Sequence, residues 1–224
     1  MLGLLVTILT GYLGVLAIMY VAQRSLMYNP GPLIGSPSSH GVSEMEILPL
    51  TNEEGVTITS WFSPPKTDQF VLIYFHGNTG SISDRSSKVR PYLDARFGVL
   101  LAGYRGFGGN LGSPTERGLY NDAMTVLKYL ENQNIPPSRW LVYGESLGSG
   151  IATEISFRYA LRGTPVGAVI LEAPFTSMGD AASEHYPLLP TRLLVRDKYD
   201  SISKIAGINA PLIVLHGTKD QTIP

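Results

Sequence analysis

Tyr143-Gly144-Glu145-Ser146-Leu147-Gly148 ends an apolar, strand-like run and begins a helix-like one. The pentapeptide inside it has the form Gly-x-Ser-x-Gly, which in this context places a serine on a sharp strand-to-helix turn with its hydroxyl exposed. Glycine is needed two residues either side of Ser146, because the backbone there passes so close to its neighbours that a Cβ would clash. The N–H of Leu147 opens the helix and faces any oxyanion that develops at the serine. The stretch therefore predicts an α/β domain with a candidate nucleophile at Ser146.

Length and composition are those of one α/β domain with a sizeable core. The chain has 224 residues and a net charge of −1, with acidic and basic residues mixed along it. Such a charge pattern provides no basic surface for nucleic acid, so we expect no nucleic-acid partner. The chain has no cysteine, which excludes disulfides, a thiolate nucleophile and cysteine-ligated zinc. We expect neither a metal nor a cofactor.

The amino-terminal segment has a different composition from the rest. No charged side chain occurs in the 21 residues from Leu2 to Ala22, a length that crosses a hydrocarbon core of about 30 Å. No basic residue precedes the run, and a cleavage after Ala22 would put Tyr20 at position −3, so an anchor at residues 1–23 is favoured over a signal peptide or a buried core helix. Residues 24–40 are rich in Pro, Gly and Ser and predict a linker. We expect a single-pass membrane protein, with the side of the catalytic domain left open.

Strand and helix patterns alternate from residue 41 to residue 224, which we predict to form one domain. Residues 44–50 and 56–62 alternate polar and apolar side chains and predict an antiparallel pair at a sheet edge. Continuous apolar runs predict buried strands at 70–75, 99–102, 140–143, 168–171 and 212–215. Helices are predicted at 83–96, 115–132, 147–161 and 201–208. The pattern indicates a mostly parallel sheet with helices on both faces.

Chemistry in such sheets lies at the carboxyl ends of the strands. The segments that follow the predicted strands are His76-Gly77-Asn78-Thr79-Gly80, Gly103-Tyr104-Arg105-Gly106, the Ser146 turn, Glu172-Ala173-Pro174 and His216-Gly217-Thr218-Lys219-Asp220. The glycine-rich loop from Gly103 lacks Gly-x-Gly-x-x-Gly spacing, which argues against a dinucleotide-binding domain.

Together and in this order, these segments make residues 40–224 similar to the α/β-hydrolase superfamily, and within it to the membrane-anchored, Bem46-like serine hydrolases. The resemblance implies an α/β-hydrolase fold behind an N-terminal transmembrane helix. It also implies hydrolysis of carboxylic ester or thioester bonds by a Ser-His-Asp acyl-enzyme mechanism. The expected partners are an acyl substrate, lipid-like because the anchor keeps the site near the bilayer, and the membrane itself.

The resemblance implies a role for each matching residue. Ser146 would be the nucleophile, Leu147 and Asn78 would supply the oxyanion hole, and Asp220 would be the acid of the triad. From the residues alone, Ser146 is also compatible with a helix cap, Asn78 with a turn and Asp220 with an ordinary loop aspartate. Glu172 is the competing acid. The side chain of Glu145 is expected to point away from the nucleophile and to be structural.

The histidine base is not assigned. The chain order Ser…Asp…His requires a histidine after Asp220, and four residues remain. His76 fits a supporting role in the oxyanion loop, and His216 is too near the acid. His185 lies in residues 178–198, an expected lid. A Ser146–Glu172–His185 triad would satisfy the chain order, but a lid does not hold a base rigidly. We therefore expect the chain to lack the last strand, the last helix and the base. The alternative is a non-catalytic binding or scaffold protein of this fold.

Overall fold

A seven-stranded sheet forms the centre of the computed structural model, which describes residues 1–32, 35–66 and 68–223. The strands are β1 (Glu46–Thr51), β2 (Thr57–Ser63), β3 (Val71–Phe75), β4 (Gly98–Ala102), β5 (Trp140–Glu145), β6 (Ala168–Glu172) and β7 (Leu212–Leu215). Their order across the sheet is β1-β2-β4-β3-β5-β6-β7. Only β2 runs in the direction opposite to that of the other six strands, so the pairs β1–β2 and β2–β4 are antiparallel and the rest are parallel. The predicted parallel sheet with an antiparallel edge pair is confirmed.

The helices follow the predicted alternation with one exception. They are α1 (Leu2–Met27), α2 (Ser86–Asp94), α3 (Glu116–Asn132), α4 (Leu147–Leu161), α5 (Met178–His185) and α6 (Thr191–Leu194). The helix predicted over 201–208 is wrong, because that segment contains only a 3₁₀ turn at Ile205–Gly207. The serines of this segment compete with a helix for its backbone hydrogen-bonding groups. The Ser203 hydroxyl, for example, donates to the Asp200 carbonyl at 3.3 Å.

Both faces of the sheet are covered. Along β3, Ile73 and Phe75 belong to the apolar cluster that packs under α3 and α4, while Leu72 and Tyr74 belong to the cluster on the α2 face. All five residues of β3 are buried. This explains why the strand is continuously apolar rather than alternating. The buried sheet thus holds the loops that follow the carboxyl ends of its strands in fixed positions.

The amino-terminal half of α1 extends away from the domain, and its carboxyl-terminal end packs against it. It is the one helix among the described residues long and apolar enough to cross a membrane. Every residue from Leu2 to Val15 is exposed, and half-buried positions such as Leu16, Met19 and Gln23 recur three or four residues apart. That spacing is typical of a helix that docks along one face.

The predicted linker at 24–40 contains more regular structure than its composition indicates. The helix continues to Met27, and Asn29–Pro30 pairs in parallel with Thr79–Gly80. A 3₁₀ turn follows at Pro37–His40. Leu33 and Ile34 of this segment, like Thr67 and Pro224 of the predicted domain, lie outside the described residues.

Candidate active site

Ser146 occupies the turn between β5 and α4 with an unusual backbone conformation. Its φ is 50° and its ψ is −115°, a region that costs a non-glycine residue on the order of 1–3 kcal/mol. The turn is held by hydrogen bonds from Ser146 N–H to the Glu172 carbonyl and from Ser149 N–H to the Ser146 carbonyl, each 2.8 Å long. A Cβ on Gly148 would overlap the Phe75 carbonyl oxygen. The close approach predicted from the sequence is therefore present, and strand β3 is its cause.

Leu147 and Asn78 lie beside the serine. Leu147 is the first residue of α4, so its N–H has no carbonyl partner within the helix and sits at the positive end of the helix dipole. Its side chain is buried in the core. Asn78 follows β3, and its side-chain amide donates to the Met27 carbonyl at 2.8 Å. That bond occupies one of the two amide hydrogens, so the second amide hydrogen and the backbone N–H of Asn78 are both candidate donors to a substrate.

A cavity of about 400 Å³ opens above these residues. Ser146, Leu147 and Asn78 all line it, so the structure brings three of the four predicted site residues together. One wall is the predicted lid, residues 178–198, which contains α5 and α6. The other wall is the carboxyl-terminal part of α1, through Met19 and Tyr20 among others. Sequence analysis missed this second wall.

Asp220, the fourth predicted residue, lies in the turn after β7. Its carboxylate accepts hydrogen bonds from Ile223 N–H at 2.9 Å and from Thr222 N–H at 2.8 Å. These two bonds lower the pKa of Asp220 below its ordinary value, so the group is ionised at neutral pH. Thr222 and Ile223 line the cavity, whereas Asp220 lies behind them. His216 Nε2 is 3.8 Å from the carboxylate and 2.6 Å from the Ile223 carbonyl.

No histidine in the described residues is hydrogen-bonded to Ser146. His76 is buried, donates from Nδ1 to the Gly77 carbonyl at 2.8 Å and stacks on Tyr104. Burial lowers the pKa of His76 to about 4, so it is neutral at pH 7. His185 lines the cavity, with Nε2 2.8 Å from the Thr222 carbonyl.

The alternative acid, Glu172, is paired elsewhere. Its carboxylate lies 2.9 Å from Lys88 Nζ and accepts a hydrogen bond of 2.7 Å from the Tyr143 hydroxyl. These partners lie on the α2 side of the sheet and not with His185. The geometry therefore does not form a Glu172–His185 pair.

Glu145 joins the serine turn to the loop that carries Asn78. Its carboxylate accepts hydrogen bonds from the Tyr74 hydroxyl at 2.5 Å and from Arg85 Nη2 at 2.9 Å, and Lys88 Nζ lies 3.2 Å away. Arg85 Nη1 in turn donates to the Thr79 carbonyl at 3.1 Å. The side chain is thus structural, as the sequence predicts, and it connects β3, β5 and the start of α2.

Comparison with known proteins gives the family. No family model matches the chain. An uncharacterized protein of Mycobacterium tuberculosis, Rv2307c, is 34% identical over 216 residues, which are 94% of this chain and 74% of that protein. Protein bem46 of Schizosaccharomyces pombe is 30% identical over 93% of this chain and 73% of its own length. The lysophosphatidylserine lipase ABHD12 of Danio rerio is 29% identical, and the match covers 84% of this chain and 58% of that protein.

Solved structures give the same fold. An α/β-hydrolase of Vibrio vulnificus superimposes with a TM-score of 0.68 at 22% identity, over 84% of this chain and 79% of the other. An esterase of Pyrococcus furiosus does so with a TM-score of 0.63 at 21% identity, over 87% and 79%. The fold is that of an α/β-hydrolase. With the sequence relatives, it follows that the chain belongs to the Bem46-like family of α/β-hydrolases, which supports hydrolase activity.

Proposed function

We propose that this chain is a serine hydrolase that cleaves carboxylic ester or thioester bonds in lipid-like acyl substrates. The observation that carries the proposal is the position of Ser146. It lies on a strained turn, at the amino end of α4 and on the floor of a largely apolar cavity of about 400 Å³. A cavity of that size and character fits an acyl chain. The fish relative, named for lysophosphatidylserine lipase activity, supports a lipid-like substrate.

The proposed chemistry is acyl transfer in two steps. Ser146 Oγ attacks the acyl carbonyl carbon, a base accepts the hydroxyl proton, and the alcohol or thiol leaves with that proton. Water then repeats the attack on the acyl-serine and releases the acid. In both steps the carbonyl oxygen becomes an oxyanion, for which we propose the backbone N–H groups of Leu147 and Asn78 as donors. One such donor is typically worth about 3–4 kcal/mol of transition-state stabilisation.

Asp220 is the proposed acid of the triad, since its carboxylate is ionised and lies next to the cavity. Its role is to orient an imidazole and to stabilise the imidazolium that forms. His185 lines the cavity and His216 Nε2 lies 3.8 Å from the Asp220 carboxylate, and each directs Nε2 to a backbone carbonyl. Neither therefore holds the position of the base, which must reach both Ser146 Oγ and Asp220.

The location is part of the same proposal. We infer that α1 anchors the protein as a single membrane-spanning helix, because its exposed residues from Leu2 to Val15 are almost all apolar and carry no charge. An exposed apolar helix of this kind is costly in water and favourable in hydrocarbon.

The test is a pair of serine substitutions. We expect Ser146→Ala to abolish labelling by a fluorophosphonate probe and turnover of a short-chain p-nitrophenyl ester, with the circular dichroism spectrum unchanged. Ser156→Ala is the matched control, because Ser156 lies in the same helix and its buried hydroxyl has no hydrogen-bond partner. That variant should label like the unsubstituted protein. Labelling of Ser146→Ala would refute the assignment.

Two histidine substitutions test whether His185 or His216 acts as the base. Loss of labelling in His185→Ala or His216→Ala would make that residue the base, and retention in both would exclude them. One observation, the lack of a histidine contact to Ser146 among the described residues, favours the alternative of a non-catalytic binding protein. If the unsubstituted protein is not labelled at all, that alternative is supported instead.

A further inference from the structure

The lid and α1 are in contact along half the length of the helix. The Tyr12 hydroxyl donates to the Leu188 carbonyl at 2.9 Å. One turn from the end of α1, Arg24 Nε donates to the Asp197 carboxylate at 2.8 Å, and Asp197 is buried. Gln23 lies between them and accepts a 2.7 Å hydrogen bond from Arg196 N–H. The lid tip, defined as residues 186–193, therefore reaches far along the helix toward its amino end.

The length of α1 sets where the lid tip lies relative to a bilayer. Ten helical residues, from Leu2 to Gly11, precede the contact at Tyr12. At a rise of 1.5 Å per residue they extend roughly 15 Å. The hydrocarbon core is about 30 Å thick. If α1 crosses that core, the residues before Tyr12 span only about half of its thickness. The other half is spanned by the part of α1 that the lid contacts, so the lid tip must enter the membrane beside the helix.

The outer surface of the lid tip has the composition that such a position requires. Leu188 is 85% exposed, Leu193 is 83% exposed and Tyr186 is 42% exposed. Large apolar side chains exposed together on one short segment are unusual on a water-facing surface. Arg196, just beyond the tip, lies over the Tyr20 ring at 5.7 Å. An arginine and a tyrosine together are typical of the boundary between hydrocarbon and headgroups.

We propose that the lid tip inserts into the membrane beside α1, and that the cavity receives its acyl substrate directly from the lipid. The two elements that enter the membrane are the same two that form the cavity walls, with Met19 and Tyr20 on α1 and Leu189 on the lid. An acyl chain can therefore pass between them without crossing water. Insertion rests on α1 spanning the bilayer, and the entry route also rests on the proposed reaction at Ser146.

Insertion is tested by fluorescence in phosphatidylcholine vesicles that contain brominated acyl chains. Both native tryptophans, Trp61 and Trp140, are fully buried in the domain core and should be little quenched. We expect Leu188→Trp to add a strongly quenched component. Leu161→Trp is the matched control, because Leu161 is 71% exposed at the end of α4 far from Ser146. An unquenched Leu188→Trp variant would overturn the proposal.

The entry route is tested by the labelling rate of Ser146 with two fluorophosphonates, a water-soluble short-chain one and a long-chain one dissolved in the vesicles. Aspartate is strongly disfavoured in hydrocarbon, so the double variant Leu188→Asp, Leu193→Asp should label at least about tenfold more slowly with the long-chain probe. Its rate with the short-chain probe, and both rates of Leu161→Asp, should be unchanged.

The two hypotheses fail differently. An unaltered long-chain rate in the double aspartate variant would overturn the entry route. If neither probe labels the unsubstituted protein while Leu188→Trp is quenched, the proposed reaction fails and insertion stands.

Discussion

Replacing Glu145 by glutamine removes one charge beside the Ser146 turn and preserves the shape of the side chain. The carboxylate is 18% exposed and is shared by Arg85, Lys88 and the Tyr74 hydroxyl. Arg85 is itself only 13% exposed. The substitution therefore leaves a partly buried guanidinium without its closest counter-charge, which is the costly way to break an ion pair.

The magnitude follows from the pKa of the carboxyl group. Burial alone would raise the pKa of Glu145, but hydrogen bonds from Arg85 and Tyr74, with the charges of Arg85 and Lys88, lower it to about 2. An unfolded glutamate titrates near 4.3, so the difference of about 2 units corresponds to roughly 3 kcal/mol of stability. Because the folded pKa is the lower one, this contribution is fully present above about pH 4.5. It is lost as the pH falls through about 2.

The assay is urea unfolding of the protein in mild detergent, followed by circular dichroism, at several pH values from 7 down to 3. We expect Glu145→Gln to lower the free energy of unfolding by about 2–3 kcal/mol at pH 7 and by less at pH 3. The control is Glu53→Gln, because the Glu53 side chain is 92% exposed and its pair with Lys128 is 3.4 Å long. That change should stay within about 0.5 kcal/mol. An effect of Glu145→Gln that is no larger, or that does not shrink toward pH 3, would refute the reasoning.

Two further substitutions test contacts around the site. Gly148→Ala should destabilise the protein by at least about 3 kcal/mol in thermal unfolding, because the added Cβ meets the backbone of β3. Gly14→Ala, which has open space around it, should not; equal stability of the two variants would contradict the crowding. Arg24→Gln removes the guanidinium from buried Asp197, and since Arg24 is 35% exposed we expect a loss of about 1–2 kcal/mol. Limited proteolysis should then cut the lid faster, and an unchanged cleavage rate would argue against the contact.

Local patterns in the sequence predict much of the sheet and the position of Ser146. The bounds of α4 and the pairing of the two edge strands agree with the prediction. They do so because a strand buried on both faces must be continuously apolar, and a turn that crosses a neighbouring strand must be glycine-rich. These requirements act over a few residues, so they can be read from a few residues. The helix predicted at 201–208 was wrong, because the apolar pattern of that segment does not distinguish a helix from a turn.

The walls of the cavity depend on contacts between distant parts of the chain. Arg24 and Asp197 are 173 residues apart, and the carboxylate of Glu145 accepts hydrogen bonds from Tyr74 on β3 and from Arg85 just before α2. A Pro/Gly-rich composition predicted a linker after residue 23, yet Asn29 N–H pairs with the Asn78 carbonyl beside the serine. Which segments meet is set by the order of strands in the sheet and by where α1 returns to it. The sequence alone therefore predicted the position of Ser146, the proposed nucleophile, and the strands that carry it. Only the tertiary structure decided that the N-terminal helix is a wall of the cavity, because the run from Leu2 to Ala22 is uncharged throughout and its sequence does not mark the face that docks.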